Sequence, residues 1–174
     1  VIDGTNEDLV FTGSDTALTA TWEGFSDDIS GIAYYEYAIG LSSGTDDVLS
    51  WVDNGLDITL SVDDLDLEHA TVYYQSVRAI DLVDNVSFAA SSNGIITDHS
   101  PPEAGVINGG IGVDETWLVI NDRLYLNWDR FQDTISGIQC FEYAIGTVPG
   151  QSDVVPWENV GMDTASVDAQ LVLS

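Results

Sequence analysis

Trp22-x-x-Phe25-x-Asp27-x-Ile29-Ser30-Gly31-Ile32, continuing through Glu36-Tyr37-Ala38-Ile39-Gly40, decides the organisation of this 174-residue chain. It returns 106 residues later as Trp128-x-x-Phe131-x-Asp133-x-Ile135-Ser136-Gly137-Ile138 and Glu142-Tyr143-Ala144-Ile145-Gly146. Between Trp22–Trp51 and Trp128–Trp157 no gap is needed, and 16 of 30 positions are identical. Gly44, Asp47, Val48 and Trp51 return as Gly150, Asp153, Val154 and Trp157. Upstream, Val1-Ile2-Asp3-Gly4 returns as Val106-Ile107-Asn108-Gly109 at an offset of 105, so the second copy carries one inserted residue. Self-similarity at a fixed period marks a repeat architecture. The expected organisation is a first domain over 1–100, a Pro-Pro linker over 101–105 and a second repeat over 106–174.

Apolar and polar residues alternate with period two, as in Leu18, Ala20 and Trp22 against Thr19, Thr21 and Glu23, which predicts strands with one buried face. The predicted strands lie near 8–12, 17–23, 32–40, 48–52, 57–62, 71–80 and 86–96. Turn chemistry separates them: Asp27-Asp28-x-Ser30-Gly31 combines a side chain that caps backbone N–H groups with a glycine permitting positive φ, and Asp53-Asn54-Gly55 marks a second tight turn. Helical periodicity is absent. Seven short strands in about 100 residues predict an all-β, two-sheet antiparallel sandwich. Glu68 is the counterpart of Ser174, so the second sandwich is expected to be incomplete at its C-terminus, with two strands missing, a bare sheet edge and an open core. The chain then reads as a window on a longer array. The alternative is that another copy of itself donates the missing strands.

Trp22 in an early strand, Tyr37 in the next, and Leu67 six residues before Tyr73 resemble the fibronectin type III pattern. Tyr73-x-x-x-Val77-x-Ala79-x-Asp81 looks like the penultimate strand of that family, with the Leu67/Tyr73 spacing of its tyrosine corner. The segment Asp81 to Pro102 resembles tandem repeats of large microbial surface proteins, and Asp27-x-x-Ser30-Gly31-Ile32 with Tyr37-x-Ile39-Gly40 also looks like repeats of big animal extracellular proteins. The resemblance implies two fibronectin type III-like (Ig-like) domains, extracellular or on a cell surface, with a structural role. Gln75 departs from the pattern, because it shares a face with Tyr73 and Val77 where the family places an apolar residue. The register of this strand is therefore open.

Thirty Asp and Glu face three Arg and no Lys, for a formal charge of −27. Such a surface repels phosphate backbones and anionic lipid, so neither nucleic acid nor membrane insertion is expected. Cys140 is the single cysteine, which rules out an intramolecular disulfide and favours a microbial protein over a disulfide-rich animal ectodomain. It sits where Tyr34 does in the first copy and is expected on a strand. His69 and His99 fall in a turn and in the linker, too scattered for a zinc site. Neither a phosphate-binding glycine loop nor a nucleophile elbow is present. No catalytic residue and no cofactor-binding residue is expected.

Two sets of residues are the binding candidates. Trp51 and Trp157 occupy matched positions after turn-like segments, where they would cover a sandwich edge or offer a sugar-stacking platform. Trp22 and Trp128 lie on the apolar face of alternating strands and are expected in the cores. Trp117 is expected to match Phe11 as a first-strand aromatic, and Glu36 and Glu142 are expected to point outward. Calcium needs six to eight oxygens, usually from several Asp on one loop. Asp81 and Asp84, with Asn85, cluster in a strand-to-strand loop, and Asp98 stands at the domain junction within reach of Glu103 or Asn108. Asp64, Asp66 and Glu68 would share a face if extended, but Asp64 and Asp66 align with Gln170 and Val172, so that cluster is not repeat-wide. Asp27 and Asp47 do recur, as Asp133 and Asp153. Asp81, Asp84 and Asp98 are thus the candidate Ca²⁺ ligands.

The expected function is a spacer or stalk repeat contacting neighbouring repeats of the same chain, with adhesive or fibre-forming roles in the same class. The alternatives are a glycan- or protein-binding module and an accessory domain of a secreted polysaccharide-degrading enzyme.

Overall fold

The computed structural model describes residues 1–110, 114 and 123–169. The chain divides into two compact units, Val1–Ser100 and Pro101–Ser174. In the first, β1 (Ile2–Asp3), β3 (Leu18–Thr21) and β6 (Thr59–Val62) form one sheet in the order β1-β3-β6. The facing sheet has the order β2-β9-β7-β4-β5 and contains β2 (Phe11–Thr12), β4 (Ile32–Gly40), β5 (Leu49–Asp53), β7 (Val72–Asp81) and β9 (Ile95–Thr97). A short β8 (Ala90–Ser91) also pairs with β7. Three strands facing four, with β2 adding a parallel pair to β9, is the fibronectin type III-like sandwich. The predicted strand over 86–96 is broken into β8 and β9, because Gly94 takes φ +98° and turns the chain between them. The predicted strand over 8–12 shrinks to Phe11–Thr12, and β1 was not predicted.

The inner faces meet around Trp22, which is 2% exposed. Tyr35 stands edge-on to it at 5.7 Å, and Phe25 packs on Tyr35 at 5.6 Å. Leu18, Ala20 and Leu60 from one sheet and Tyr73, Val77 and Ala79 from the other complete the cluster. The backbone N–H of Glu68 donates to the Tyr73 hydroxyl at 2.8 Å, closing the tyrosine corner over the buried Leu67. A core-facing alternation therefore carries the fold, as the pattern of β3 predicts.

Gln75 resolves the open register. It faces inward between Tyr73 and Val77, is fully buried, and pairs with Ile39 on β4. Its amide Nε2 donates to the Asp3 carboxylate Oδ1 at 2.8 Å and to the Thr19 carbonyl at 3.0 Å. Asp3 is also fully buried, with its other oxygen unbonded, as is the Gln75 amide oxygen. Burial pushes the Asp3 carboxyl above its ordinary 3.8, against the hydrogen bond from Gln75. The polar residue in an apolar column is thus one half of a buried pair, and its partner sits in the short strand β1.

The second unit repeats this frame. β10 (Val106–Gly109), β11 (Arg123–Asp129) and β14 (Ala165–Ala169) form one sheet, and β12 (Phe141–Ile145) with β13 (Val155–Gly161) the other. Leu18 pairs with Val62 on β3–β6, and Leu124 with Asp168 on β11–β14, the same register 106 residues on. Tyr37 pairs with Val52 and Tyr143 with Glu158, again the same register, and a bulge follows each pair. Trp128 is buried against Phe141 and Tyr143, at 6.0 and 6.2 Å. The linker residue Glu103 pairs with Gln132 of this unit. Trp117, Gln170 and Val172 lie outside the described residues. Cys140, expected on a strand, precedes β12 instead. Its counterpart Tyr34 is held in β4 by pairing with Ile80 of β7, whereas β12 is paired only with β13 among the described residues.

Asp3→Asn tests the buried pair. An acid whose folded pKa is raised stabilises most below its unfolded value and loses that contribution as pH rises through the folded value. The neutral amide keeps an acceptor for Gln75 and adds a donor for its unbonded oxygen. Thermal denaturation should show the variant more stable by about 1 kcal/mol at pH 7, with the gain shrinking towards pH 4. The exposed Asp28→Asn change controls for net charge. A variant destabilised at pH 7, with the deficit closing towards pH 4, would show that the Asp3 carboxylate is needed as an ion.

Candidate functional site

The recurrent acids turn out to be turn caps. Asp27 Oδ1 accepts from the backbone N–H of Ile29 at 2.8 Å and of Ser30 at 3.0 Å. Asp133 Oδ1 accepts from Ile135, Ser136 and Gly137 at 3.0, 2.9 and 3.1 Å. Asp47 accepts from the Thr45 hydroxyl at 2.5 Å and the Leu41 N–H at 3.2 Å, and Asp153 from the Thr147 hydroxyl and N–H at 2.7 and 2.9 Å. These donors hold Asp27, Asp47 and Asp153 below the ordinary carboxylate pKa, the Ile29 N–H leading for Asp27 and the threonine hydroxyls leading for the other two. Repetition of an aspartate thus records repetition of a loop.

Asp81 ends β7 and is buried. Its Oδ1 accepts from the N–H groups of Val83 and Asn85 at 2.9 and 2.8 Å, and its Oδ2 from the Asn85 amide and the Ser30 hydroxyl at 2.7 and 2.8 Å. The Asn85 side chain, then its N–H, Ser30 and Val83, bring the Asp81 pKa down to about 2, against the opposing effect of burial. Ser30 also lies 3.0 Å from Asp27 Oδ2, so one hydroxyl ties the Asp27 turn to the end of β7. Asp84 is exposed at φ +67°, as the tip of this loop. Asp98 is elsewhere. It follows β9, which pairs with Val72 and Tyr73 at the start of β7, so nine residues, roughly 30 Å of strand, separate it from Asp81. It accepts from the Ser100 N–H and hydroxyl at 3.0 and 2.7 Å.

The structure also brings together what the sequence scatters. The His99 N–H donates to His69 Nδ1 at 3.1 Å, the two rings lie 5.7 Å apart, and Asp98 Oδ1 is 3.9 Å from the same nitrogen. The two histidines meet because the end of β9 pairs with the start of β7, a pairing for which the sequence carried no signal. Among the described residues no group of three or more His, Cys, Asp or Glu is placed to hold a metal ion. Leu65 and Leu67 turn inward while Asp64, Asp66 and Glu68 face solvent, and Asp64 is left-handed at φ +59° rather than extended.

Trp51 and Trp157 lie on β5 and β13, each an end strand of its sheet. The Arg78 guanidinium lies 4.2 Å above the Trp51 ring and pairs with Glu36 at 2.6 Å. Glu36 therefore points outward as expected, and one face of Trp51 is covered by a cation. Trp157 is 65% exposed. It borders a groove of about 420 Å³ whose other walls include Leu126, Trp128, Phe131, Phe141 and Tyr143.

These observations define a class: two tandem fibronectin type III-like β-sandwich units, identified by strand order, ladder register and tyrosine corner. No protein-family model matches the chain, and no curated protein matches it. Among solved structures, that of the chicken CNTN1 FN1-FN3 domains aligns over 94% of this chain at 15% identity and a TM-score of 0.44. This chain spans 52% of the length of that one.

Replacing Asp81 tests the cap reading. A depressed pKa contributes stability above the ordinary value and loses it as pH falls through about 2. Asp81→Ala should melt below the parent at pH 7, with the deficit closing between pH 4 and pH 2. A pH-independent deficit would show that Asp81 acts through packing alone. For the same reason melting in EDTA at fixed ionic strength should be unchanged, since the Asp81 oxygens are already occupied. A fall in melting temperature would restore the Ca²⁺ reading.

Proposed function

We propose that this chain is a structural spacer, a stalk segment of a long extracellular or cell-surface protein. The observation that supports it is the kind of residue the two copies share. Trp22 and Trp128 fill cores, Asp27 and Asp133 cap one turn, and Asp47 and Asp153 cap another. A repeated ligand site would keep an exposed constellation. Most of what is kept here fills a core or holds backbone in place, as a module selected for its shape would require. Glu36/Glu142 with Trp51/Trp157 are the kept residues on the outer face.

The charge fits the same role. Most carboxylates project into solvent, so like-charged repeats repel one another and stay soluble. The Pro-Pro pair between copies limits bending at the joint. Lone Cys140 and the absence of lysine favour a microbial, salt-tolerant source. In this reading the module is non-catalytic.

Force spectroscopy on the chain tethered at both ends tests the proposal. Unit 1 should unfold in one step whose release is the extended length of its 100 residues, about 330–360 Å, less the folded distance between its ends. Gradual extension without a discrete step would sink a load-carrying role. Binding to an immobilised polysaccharide, abolished by Trp157→Ala, would favour the glycan-binding alternative instead.

A further inference from the structure

Within unit 1 a groove of about 450 Å³ lies between the β4–β5 loop and the segment that joins β6 to β7. That volume is in the range of small-molecule sites, roughly 300–1,000 Å³. Its floor is apolar, because Leu49 and Leu65 pack against the core cluster to which Tyr73 belongs. Leu41, which is 50% exposed, forms an apolar lip. The rim carries Asp64, Asp66 and Glu68, all of them exposed. The segment that bears these acids is fixed by its own backbone. The Leu65 and Leu67 N–H groups donate to the Thr16 and Asp15 carbonyls, each at 2.9 Å, and the Glu68 N–H donates to the Tyr73 hydroxyl at 2.8 Å. A ligand therefore meets a rim that is already ordered, which lowers the entropic cost of binding.

Comparison of the two copies separates what the fold needs here from what it does not. Leu65 and Leu67 return as Leu171 and Leu173, whereas Leu41, Asp64, Asp66 and Glu68 are matched by Thr147, Gln170, Val172 and Ser174. The inward leucines belong to the repeat, and the lip and rim belong to the first copy alone. Among the described residues no group of three or more acids is placed to hold a metal ion, so the rim carboxylates do not converge on one small cation. They stand apart above a hydrocarbon floor.

We infer that this groove binds a linear aliphatic polyamine, its methylene chain along Leu41, Leu49 and Leu65 and its ammonium groups at Asp64, Asp66 and Glu68. Separated carboxylates call for separated positive charges, which a single metal ion does not supply. An apolar floor between them calls for hydrocarbon between the charges, which a hydrated inorganic cation lacks. The field of a chain carrying a formal charge of −27 concentrates any polycation near the surface. The groove adds what that field lacks, a place where methylene groups leave water.

The test is calorimetric titration of spermine into the 174-residue chain at about 0.15 M salt, where attraction between distant charges is screened. One saturable site per chain is expected. Asp64→Asn, Asp66→Asn and Glu68→Gln combined should weaken it at least tenfold. Glu23→Gln, Asp28→Asn and Asp57→Asn combined make the same change in charge at exposed positions outside the groove, and should leave the affinity within twofold. Equal weakening by the two triple variants would show that spermine follows net charge alone, and the inference falls. Leu41→Ser leaves the charge untouched and should weaken spermine at least threefold. An unchanged affinity in that variant would remove the role of the hydrocarbon chain and with it the choice of a polyamine. Magnesium ion at the same concentration should not displace spermine, and displacement would assign the rim to inorganic cations. A peptide of alternating lysine and leucine that binds more tightly than spermine would assign the groove to a polypeptide and overturn the inference.

Discussion

The ladder between β4 and β7 holds the first unit together in two directions at once. Along one face of β7, Tyr73, Val77 and Ala79 close the core over Trp22 and Tyr35. On the other face, Arg78 reaches across Glu36 to Trp51. The strand's end is held by Asp81, whose four acceptor contacts tie it to the following loop and to Ser30. Its beginning is held by the Tyr73 hydroxyl and by Thr97, which bonds the Glu68 and Thr71 carbonyls. A strand so constrained leaves little freedom in register, because a slip of one residue would exchange the core face for the solvent face.

The acidity of the chain and the order of the fold are compatible because the carboxylates divide into two groups. Most are exposed and contribute only to the surface field. A few accept two to four hydrogen bonds from backbone N–H groups and hydroxyls, which favours the charged form without any counter-ion. With three arginines in the whole sequence, ion pairing cannot neutralise thirty acids, and turn capping takes its place. Asp3 is the exception. It is an acid turned into the core, where a glutamine from the opposite sheet donates to it. It ties the short first strand to the centre of the sandwich, at the cost of desolvating a carboxyl group.

The second unit shows how far the shared frame persists where, among the described residues, β12 pairs with β13 alone. Both conserved ladders keep their registers, and the aromatic cluster around Trp128 forms. What changes is local to one edge. The strand matching Ile32–Gly40 begins only at Phe141, Cys140 falls outside it, and the indole matching Trp51 stands open. Each difference lies where unit 1 uses β7, so together they trace the footprint of one strand.

The repeat, the sandwich class, the core tryptophans, the tyrosine corner and the Gly31 turn were all legible in the residues themselves. Period-two alternation and glycines at positive φ are local consequences of backbone sterics, and an internal repeat needs no knowledge of contacts. The short strand β1, paired at two positions, was not legible, nor was the break at Gly94 that divides the predicted 86–96 strand into β8 and β9. The roles of the acids were not legible either, because an aspartate that caps its own loop and one that waits for a cation have the same sequence. Only the fold shows which donors point at Asp81, that Gln75 meets Asp3 across 72 positions, and that His69 and His99 touch. Such pairings depend on which sheet faces which, and that is decided by long-range packing rather than by neighbours along the chain.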